Sequence, residues 1–418
     1  MTQPQLLHLS LIAGGELCVA GGDRIGRVDD LIVRLGDDEY PPVTGLLASV
    51  GGRQVFVPAE TVTKIEHGRT SLATARLDLR AFERRPQEVL LRKDVLDRQL
   101  INVDGARLVR SNEIELARVD GAYRVVGVDV GPRGFARRLL PRAVSGGVGA
   151  TSILDWASVE PFTGHVPTVR LRIPHPRLAR LHPVQLAELV ESASRSEGGE
   201  IIDAVGGNPE LEADVFEQLE SFHQLEFLED RSDADVAALI SRMESDDAAD
   251  LIGALPDERR ESVLDKLPSA SNRRMRALLG YDPATAGGLM SPDFACVYEQ
   301  ASVSEALERV RAATISADSL AWIFVINSRK RLTGALALAD LVRSDPVSLM
   351  GDVAELPQRL RADADLEEVS RLMTDYDLTV VAVTDAEERL VGVITVDDVL
   401  ELVLPRGWRR RFGLFADD

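Results

Sequence analysis

The chain has 418 residues, of which 45% are hydrophobic and 28% are charged, so it is globular and long enough for two to four domains. Its formal net charge of −20 argues against nucleic acid as a partner, because such binding needs a basic surface that neutralises phosphates. The two cysteines exclude a disulfide framework and favour a reducing cytosol. No apolar stretch approaches the roughly 20 residues of a membrane helix, so we expect no membrane span.

Residues 1–150 carry short apolar stretches separated by Gly and Pro, a pattern typical of β-strands in small barrels. We predict two such β units, at residues 1–80 and 81–150. Residues 151–176 contain four prolines and are predicted to be a stiff connector.

Residues 177–282 have the apolar spacing of short amphipathic helices. The last three of these segments repeat at a fixed interval, and Pro256 and Pro268 mark helix starts. This repeat predicts a solenoid in which each helix buries its apolar stripe on a neighbour. The apolar positions that align are Leu239, Leu251 and Val263, then Ile240, Ile252 and Leu264, then Met243, Leu255 and Leu267.

A second repeat covers residues 283–345 and 346–404. Residues 324–342 align with residues 381–400, so that Val325 matches Val383 and Asp340 matches Asp398. Each copy is predicted to form a helix, a strand, a charged turn, a second strand and a helix. Two copies of this unit should pack as a pseudo-symmetric pair.

This second repeat resembles a tandem of cystathionine-β-synthase (CBS) domains. Together with the helical segment it resembles the cytosolic region of MgtE-type magnesium channels, through the motifs DDAADLIGALP, YDPATAGGLMSPDF, DYDLTVVAVTD and ERLVGVITVDDVL. The N-terminal half resembles photosynthetic-reaction-centre (PRC) barrels through GDRIGRVDDLIV and VFVPAETV. The implied fold class is a multidomain α+β protein with small PRC-like β-barrels, an MgtE N-domain-like α-helical solenoid and a tandem α/β CBS pair.

The resemblance also implies a set of Mg²⁺ ligands. In MgtE-type proteins acidic residues of the solenoid and of the CBS pair are bridged by Mg²⁺. Carried over by motif, the solenoid ligands are Asp246 and Asp250, and their partners are Asp377 and Asp398, with Glu401 as a weaker candidate. This chemistry is reasonable, because Mg²⁺ prefers hard oxygen ligands and is often held by one or two carboxylates.

These carboxylates also have an ordinary structural interpretation. Ser245 could cap a helix whose first turn contains Asp246 and Asp247, where the helix dipole favours negative charge. Asp250 could simply be solvated, and Asp398 could cap or orient the helix that we expect to begin at residue 397.

An adenine nucleotide such as ATP or AMP is the second ligand that the CBS resemblance implies. CBS pairs bind adenosine phosphates with a Gly-x-x-[Ser/Thr]-x-x-Asp element, which the second copy has as Gly392, Thr395 and Asp398. The first copy has Ala337 in place of the hydroxyl residue, so we expect one intact site at most.

No arrangement of residues in the sequence suggests catalysis, so we expect that the protein is not an enzyme. Residues 405–418 combine four arginines with aromatic side chains, a pattern that favours an anionic membrane surface. This tail could equally fold back on the protein's own acidic surface, or dock to a separate membrane cation transporter. We also expect a homodimer formed through the CBS domains.

The sequence-based hypothesis is a cytoplasmic, Mg²⁺-sensing regulatory protein that modulates a separate membrane cation transporter, with peripheral contact at the inner face of the membrane as a further option. Related transporters continue into a membrane pore after the second CBS domain, whereas this sequence ends at residue 418, so we expect sensing and not transport. The main alternative is an adenine-nucleotide-sensing scaffold without a metal switch. A ribosome or RNA-processing adaptor is a third option, which the negative charge disfavours.

Overall fold

A computed structural model of the protein describes residues 6–36, 38–78, 82–131, 152–163, 165–166, 177–317 and 319–403. The chain divides into two compact units, residues 1–220 and 221–418. None of the helices in the described ranges combines the length and the apolar character needed to cross a membrane. The basic-aromatic tail predicted at residues 405–418 lies outside the described residues.

The first unit begins with short strands separated by turns. In chain order these are β1 (Leu7–His8), β2 (Glu16–Val19), β3 (Arg24–Arg34), β4 (Val43–Val50), β5 (Arg53–Pro58), β6 (Val62–Glu66), β7 (Arg69–Leu72), β8 (Glu88–Leu90), β9 (Gln99–Asn102), β10 (Arg107–Arg110), β11 (Glu113–Val119), β12 (Ala122–Asp129), β13 (Ile153–Asp155) and β14 (Val159–Pro161).

These strands form open sheets, and not the closed barrels that the sequence suggested. The largest sheet has the order β5-β4-β3-β2-β7-β6, with β8 paired to β3, so β5 and β6 leave two edges unpaired within the described residues. The other sheets have the orders β1-β11-β12-β13 and β10-β9-β14. The predicted α+β fold class is otherwise confirmed.

Strand pairing crosses the boundary predicted between residues 80 and 81. Strand β8 joins the sheet of the first predicted β unit, and β1 joins the sheet of the second. Strands β13 and β14 come from the predicted connector. One apolar core, which includes residues from Leu7 to Val166, lies beneath all of these sheets. The β region therefore shares one interior, because short strands bury enough apolar surface only when several of them pack together.

The first unit also contains four helices in its described residues, namely α1 (Leu9–Ile12), α2 (Pro183–Ser192), α3 (Arg195–Val205) and α4 (Pro209–Gln218). Helices α2 and α4 both begin with proline, whose fixed φ suits the first helical position. His182 caps α2 in a reciprocal bond with Gln185, and the Asn208 side chain accepts a hydrogen bond from the first turn of α4. Local sequence signals thus set these helix starts.

The second unit opens with the predicted helical repeat, in helices α5 (Ser221–Leu228), α6 (Asp233–Ile240), α7 (Ser245–Ala254), α8 (Asp257–Lys266) and α9 (Ser269–Leu278). The starts of helices α6 to α9 are evenly spaced along the chain, as predicted. All nine aligned apolar side chains are buried. Helix α8 packs on α6 and α9 packs on α7, so each helix contacts the next but one and the solenoid prediction is confirmed.

The repeat also places side chains that cap the preceding helix. The guanidinium of Arg260 in α8 donates hydrogen bonds to three carbonyl oxygens at the end of α7, at 3.1, 2.7 and 3.0 Å. At the equivalent position of the next repeat, the Asn272 amide donates to the Leu264 carbonyl oxygen at the end of α8, at 2.5 Å. The last carbonyls of a helix lack partners within it, so these bonds join successive repeats.

The second sequence repeat, which resembles a CBS pair, completes the second unit. Its elements are α10 (Ala286–Leu289), β15 (Ala295–Tyr298), α11 (Val303–Arg311), β16 (Trp322–Ile326), β17 (Leu332–Ala337), α12 (Leu338–Arg343), α13 (Met350–Val353), β18 (Arg359–Arg361), α14 (Leu366–Asp375), β19 (Val380–Thr384), β20 (Leu390–Thr395) and α15 (Val396–Val403). The predicted helix-strand-turn-strand-helix unit is present in both copies. Each sheet gains a leading strand, β15 or β18, which pairs in parallel with the strand that follows it.

The two copies are related by a pseudo-two-fold arrangement at their turns. The Leu332 amide donates to the Glu388 carbonyl oxygen at 3.1 Å, and the Leu390 amide donates to the Lys330 carbonyl oxygen at 3.2 Å. Leu332 and Leu390 are equivalent positions of the sequence repeat, as are Lys330 and Glu388, so the two bonds mirror each other. Both copies contribute to one apolar cluster of Phe324, Leu332, Ala335, Val380, Ala382 and Val393.

The segment that precedes each copy packs on the other copy's sheet. Ser291, ahead of the first copy, forms a bridge with Val393 of the second. Glu355, ahead of the second copy, forms a bridge with Ala335 of the first. This exchange links residues 281–294, which join the solenoid to the CBS pair, directly to the second CBS copy.

We predict that Arg260→Ala lowers the stability of the second unit by about 1–2 kcal/mol, because it leaves three carbonyl oxygens at the end of α7 without their cationic donor. Arg273→Ala is the matched control, since Arg273 is exposed and its hydrogen bond within the described part of the chain goes to the Ser269 carbonyl oxygen of its own helix. Urea unfolding followed by circular dichroism measures both variants. Equal losses of stability would contradict the capping role of Arg260.

Candidate functional site

Two of the predicted ligands, Asp246 and Asp398, lie close together in the second unit. Asp246 lies in the first turn of α7, and Asp398 lies in the first turn of α15. Burial raises the pKa of Asp246 to about 7, and repulsion from the Asp398 carboxylate contributes to the rise, as do Glu244 and Asp250. Within the described residues, the Asp246 Oδ1 atom is buried and accepts no hydrogen bond. A cation at this position would offset the repulsion between the carboxylates and would give the Asp246 Oδ1 atom a partner.

Asp398 also holds the start of its own helix. Its Oδ2 atom accepts hydrogen bonds from the Thr395 amide at 3.1 Å and from the Thr395 hydroxyl at 2.5 Å. Helix α15 begins at Val396, one residue before the predicted start, so Asp398 is its third residue and Thr395 its N-cap. These two bonds orient the Asp398 carboxylate, and both of them use its Oδ2 atom.

The remaining predicted ligands are placed differently. Asp250, four residues after Asp246, is exposed, although nearby protein atoms limit its hydration and raise its pKa. Asp377 is exposed and has a φ of +52° directly after α14, where the Leu378 amide donates to the Met373 carbonyl oxygen at 2.9 Å. That geometry is a Schellman-type helix end, which Asp tolerates better than most residues. Glu401 lies in α15, and its side chain is outside the described residues.

The donor set fits a loosely held hard cation. Among the described residues, no group of three or more His, Cys, Asp or Glu side chains is close enough together to enclose a metal ion. Mg²⁺ does not require such a cage, because it keeps several waters and is often bound through one or two carboxylates. Asp246 and Asp398 supply two hard oxygen donors on separate elements, as a bridging site requires.

The predicted nucleotide residues in the second copy have structural partners. Gly392 faces Met290, and a Cβ atom at position 392 would lie 2.6 Å from both Cγ and Sδ of that methionine. Thr395 is only 6% exposed, and its hydroxyl is engaged with Asp398. Gly392 is therefore required for packing, whatever the cleft binds.

The first copy leaves a cavity at the equivalent position, because Ala354 faces Gly334 there. The cavity has a volume of about 320 Å³. Its polar lining includes Glu299 and Asp352, whose negative charge disfavours phosphate groups. The other lining residues are Gln300, Val325, Thr333, Leu349 and Gly351.

A contact that the sequence did not reveal lies beside Asp246. The alternative in which Ser245 caps α7 is wrong, because Glu244 is the N-cap and its side chain makes no capping bond. The Ser245 hydroxyl instead donates to Asp293 Oδ2, 48 residues away. Arg274 of α9 donates to Asp293 Oδ1 at 2.7 Å. No local pattern predicts a pairing of this kind, although Asp293 does belong to the junction motif at residues 281–294.

Comparison with known families covers the second half of the chain. Residues 181–284 match the family described as the MgtE intracellular N domain. Residues 286–346 and 355–405 match the CBS domain family. The two matches follow the order in which the solenoid and the paired sheets occur along the chain.

Individual relatives match the same region. The chain is 39% identical to the magnesium transporter MgtE of Thermus thermophilus over 163 residues, which is 38% of this chain and 36% of that protein. It is 28% identical to the magnesium transporter MgtE of Bacillus subtilis over 193 residues, which is 46% of this chain and 43% of that protein. The chain thus spans less than half the length of these curated relatives.

One solved structure is similar in fold as well as in sequence. It is the crystal structure of the cytosolic domain of the Mg²⁺ channel MgtE in complex with ATP, at 32% identity and a TM-score of 0.52. The similarity covers 56% of this chain and 94% of that chain.

We predict that Asp246→Asn stabilises the cation-free protein at pH 8 and has little effect at pH 4. An Asp with a raised pKa favours folding in its protonated form, so its contribution is present near pH 4 and is lost as pH rises through about 7. Asn stays neutral throughout, so the stability gain should reach on the order of 2–4 kcal/mol at pH 8. Thermal unfolding in a chelator, beside the exposed control Glu258→Gln, measures this difference; a gain independent of pH would contradict it.

Proposed function

Because residues 181–405 are an MgtE intracellular N domain followed by a CBS pair, we propose that this chain is a regulatory protein that senses Mg²⁺. The observation that carries the proposal is the buried Oδ1 atom of Asp246, which has no hydrogen-bond partner among the described residues and lies near the Asp398 carboxylate. The relatives that share this region are named magnesium transporters.

The switch follows from the charges of Asp246 and Asp398. Without a counter-ion, two carboxylates at the start of α7 and α15 repel each other and favour separation of the solenoid from the CBS pair. Bound Mg²⁺ supplies the positive charge that turns this repulsion into attraction. We call the arrangement in which Asp246 lies beside Asp398 the closed state. Mg²⁺ favours this state to the extent that it binds the closed state more tightly than the open one. The exposed Asp250 adds negative charge near Asp246. We propose no Mg²⁺ contact for Asp377, which lies at the C-terminal end of α14.

The output of this switch is proposed to be a separate membrane cation transporter, which the chain would contact through residues 405–418 from the cytoplasmic side. The protein would act through binding and not through catalysis. Homodimerisation through the CBS pair is supported by an exposed apolar stripe on α15, where Val396, Leu400 and Val403 are 36%, 46% and 56% exposed. These side chains are spaced at one-turn intervals and form one face of the helix.

Small-angle scattering of the full chain tests the Mg²⁺ switch. From zero to about 20 mM Mg²⁺ at matched ionic strength, we expect the wild type to become more compact, because the ion bridges two elements. The double variant Asp246→Ala/Asp398→Ala should show no Mg²⁺-specific change. Asp377→Gly, which suits the positive φ at that position, should respond as the wild type does. An unresponsive wild type would exclude the switch.

An adenine nucleotide is the second candidate ligand, favoured by similarity to a cytosolic domain solved in complex with ATP. In this case the CBS cleft would sense ATP or AMP, and the solenoid carboxylates would serve only as a solvated surface. The second copy keeps Thr395 and Asp398, whereas the first has Ala337 in place of the hydroxyl residue.

Calorimetric titration with ATP distinguishes the copies through their matched acids. If the second copy binds the ribose, Asp398→Asn should abolish the binding heat, because it removes the carboxylate acceptor. Asp340→Asn, at the equivalent position of the first copy, should retain it. Absence of binding in the wild type would remove the nucleotide hypothesis.

A further inference from the structure

The carboxylate of Asp293 joins the solenoid to the start of the first CBS copy. Its two oxygens take separate donors, the Ser245 hydroxyl from the first residue of α7 and the Arg274 guanidinium from α9. Arg274 also reaches the Ser245 hydroxyl at 3.5 Å. Three side chains from three elements therefore meet at one point, just before β15 begins.

The position of this cluster matters because Ser245 directly precedes Asp246. Ser245 is only 6% exposed, so the first residue of α7 is buried where Asp293 holds it. A helix start held by its first side chain has little freedom to rotate, and the neighbouring Asp246 carboxylate is fixed with it. The contacts within the cluster need no cation, since one arginine balances one aspartate.

We propose that Asp293, Ser245 and Arg274 form a cation-independent latch that sets the Mg²⁺ concentration at which the closed state forms. The latch opposes the repulsion between Asp246 and Asp398, so that less Mg²⁺ is needed for closure. The threshold role rests on the proposed Mg²⁺ switch, whereas the latch itself is a contact within the second unit and can be measured without the ion.

If Arg274 acted only through its charge, its removal would shift the Mg²⁺ midpoint in the opposite direction. Removing the positive charge of Arg274 makes the surroundings of Asp246 and Asp398 more negative, and that alone would increase their attraction for Mg²⁺. Loss of the latch would instead destabilise the closed state and require more Mg²⁺. The sign of the shift therefore separates the two effects.

The experiment compares Arg274→Gln with Arg273→Gln in the full chain, by small-angle scattering across a Mg²⁺ titration. Arg273 is the neighbouring arginine, and its hydrogen bond among the described residues goes to Ser269 of its own helix; both variants lose one positive charge. We expect the midpoint of compaction to rise about three- to tenfold in Arg274→Gln, as befits a partly exposed charged hydrogen bond. Arg273→Gln should leave the midpoint unchanged or lower it.

Two further variants test positioning as opposed to general stability. Arg274→Lys keeps a donor for Asp293 and should restore a midpoint near that of the wild type. Ser245→Ala changes no charge and should raise the midpoint, with the same final dimensions at saturating Mg²⁺. A midpoint that does not rise in Arg274→Gln relative to Arg273→Gln, or that does not rise in Ser245→Ala, would overturn the latch.

A measurement without cation separates failure of the latch from failure of the proposed function. In a chelator, Arg274→Gln should have a larger radius of gyration than Arg273→Gln, and a protease should cleave it faster between α9 and β15. If the wild type ignores Mg²⁺ but this difference is present, the latch stands and the Mg²⁺ switch fails. If the difference is absent, the latch fails whatever the response to Mg²⁺.

Discussion

The proximity of two acidic side chains, Asp246 and Asp398, is the main electrostatic constraint on the second unit. Burial of the Asp246 carboxylate and, after it, repulsion from Asp398 raise the pKa of Asp246 to about 7, so bringing the two carboxylates together costs free energy at neutral pH. Other contacts must offset this cost. Asp293 accepts hydrogen bonds from Ser245 and Arg274, and these are the contacts of the proposed latch. In the proposed switch, the contact of Asp293 favours the closed state and the repulsion between Asp246 and Asp398 opposes it.

The solenoid makes this balance possible by fixing where α7 begins. Its helices start at even intervals along the chain and share buried apolar positions, so a helix cannot slide without exposing its stripe to water. Arg260 and Asn272 add polar links between successive repeats at equivalent positions. Asp246 is therefore part of a helical segment whose repeats are joined by both apolar packing and hydrogen bonds.

The CBS pair combines a symmetric backbone with asymmetric side chains. Both copies have the same strand pairing, and the segment ahead of each copy pairs with the other copy. In the second copy Met290 fills the space beside Gly392, whereas in the first copy the smaller Ala354 leaves a cavity beside Gly334. In the second copy the Thr395 hydroxyl donates to Asp398, whereas in the first copy Ala337 is the N-cap of α12 and offers no side-chain hydrogen bond. The two copies therefore differ in side-chain chemistry and not in fold, and it is the carboxylate of the second copy, Asp398, that lies near Asp246 of α7.

The sequence by itself determined the features that local energetics control. Helices α6 to α9, the paired strands of both CBS copies and the short strands of the first unit follow from apolar periodicity, proline positions and turn residues, because these act within a few residues of each other. The acidic pair of Asp246 and Asp398 was accessible through resemblance to a known family. Tertiary structure alone decided which strands pair across residues 80 and 81, why the sheets stay open, that Asp377 serves a helix end, and that Asp293 binds Ser245. Each of these depends on the path of the chain through space, which brings together residues whose separation in sequence carries no periodic signal.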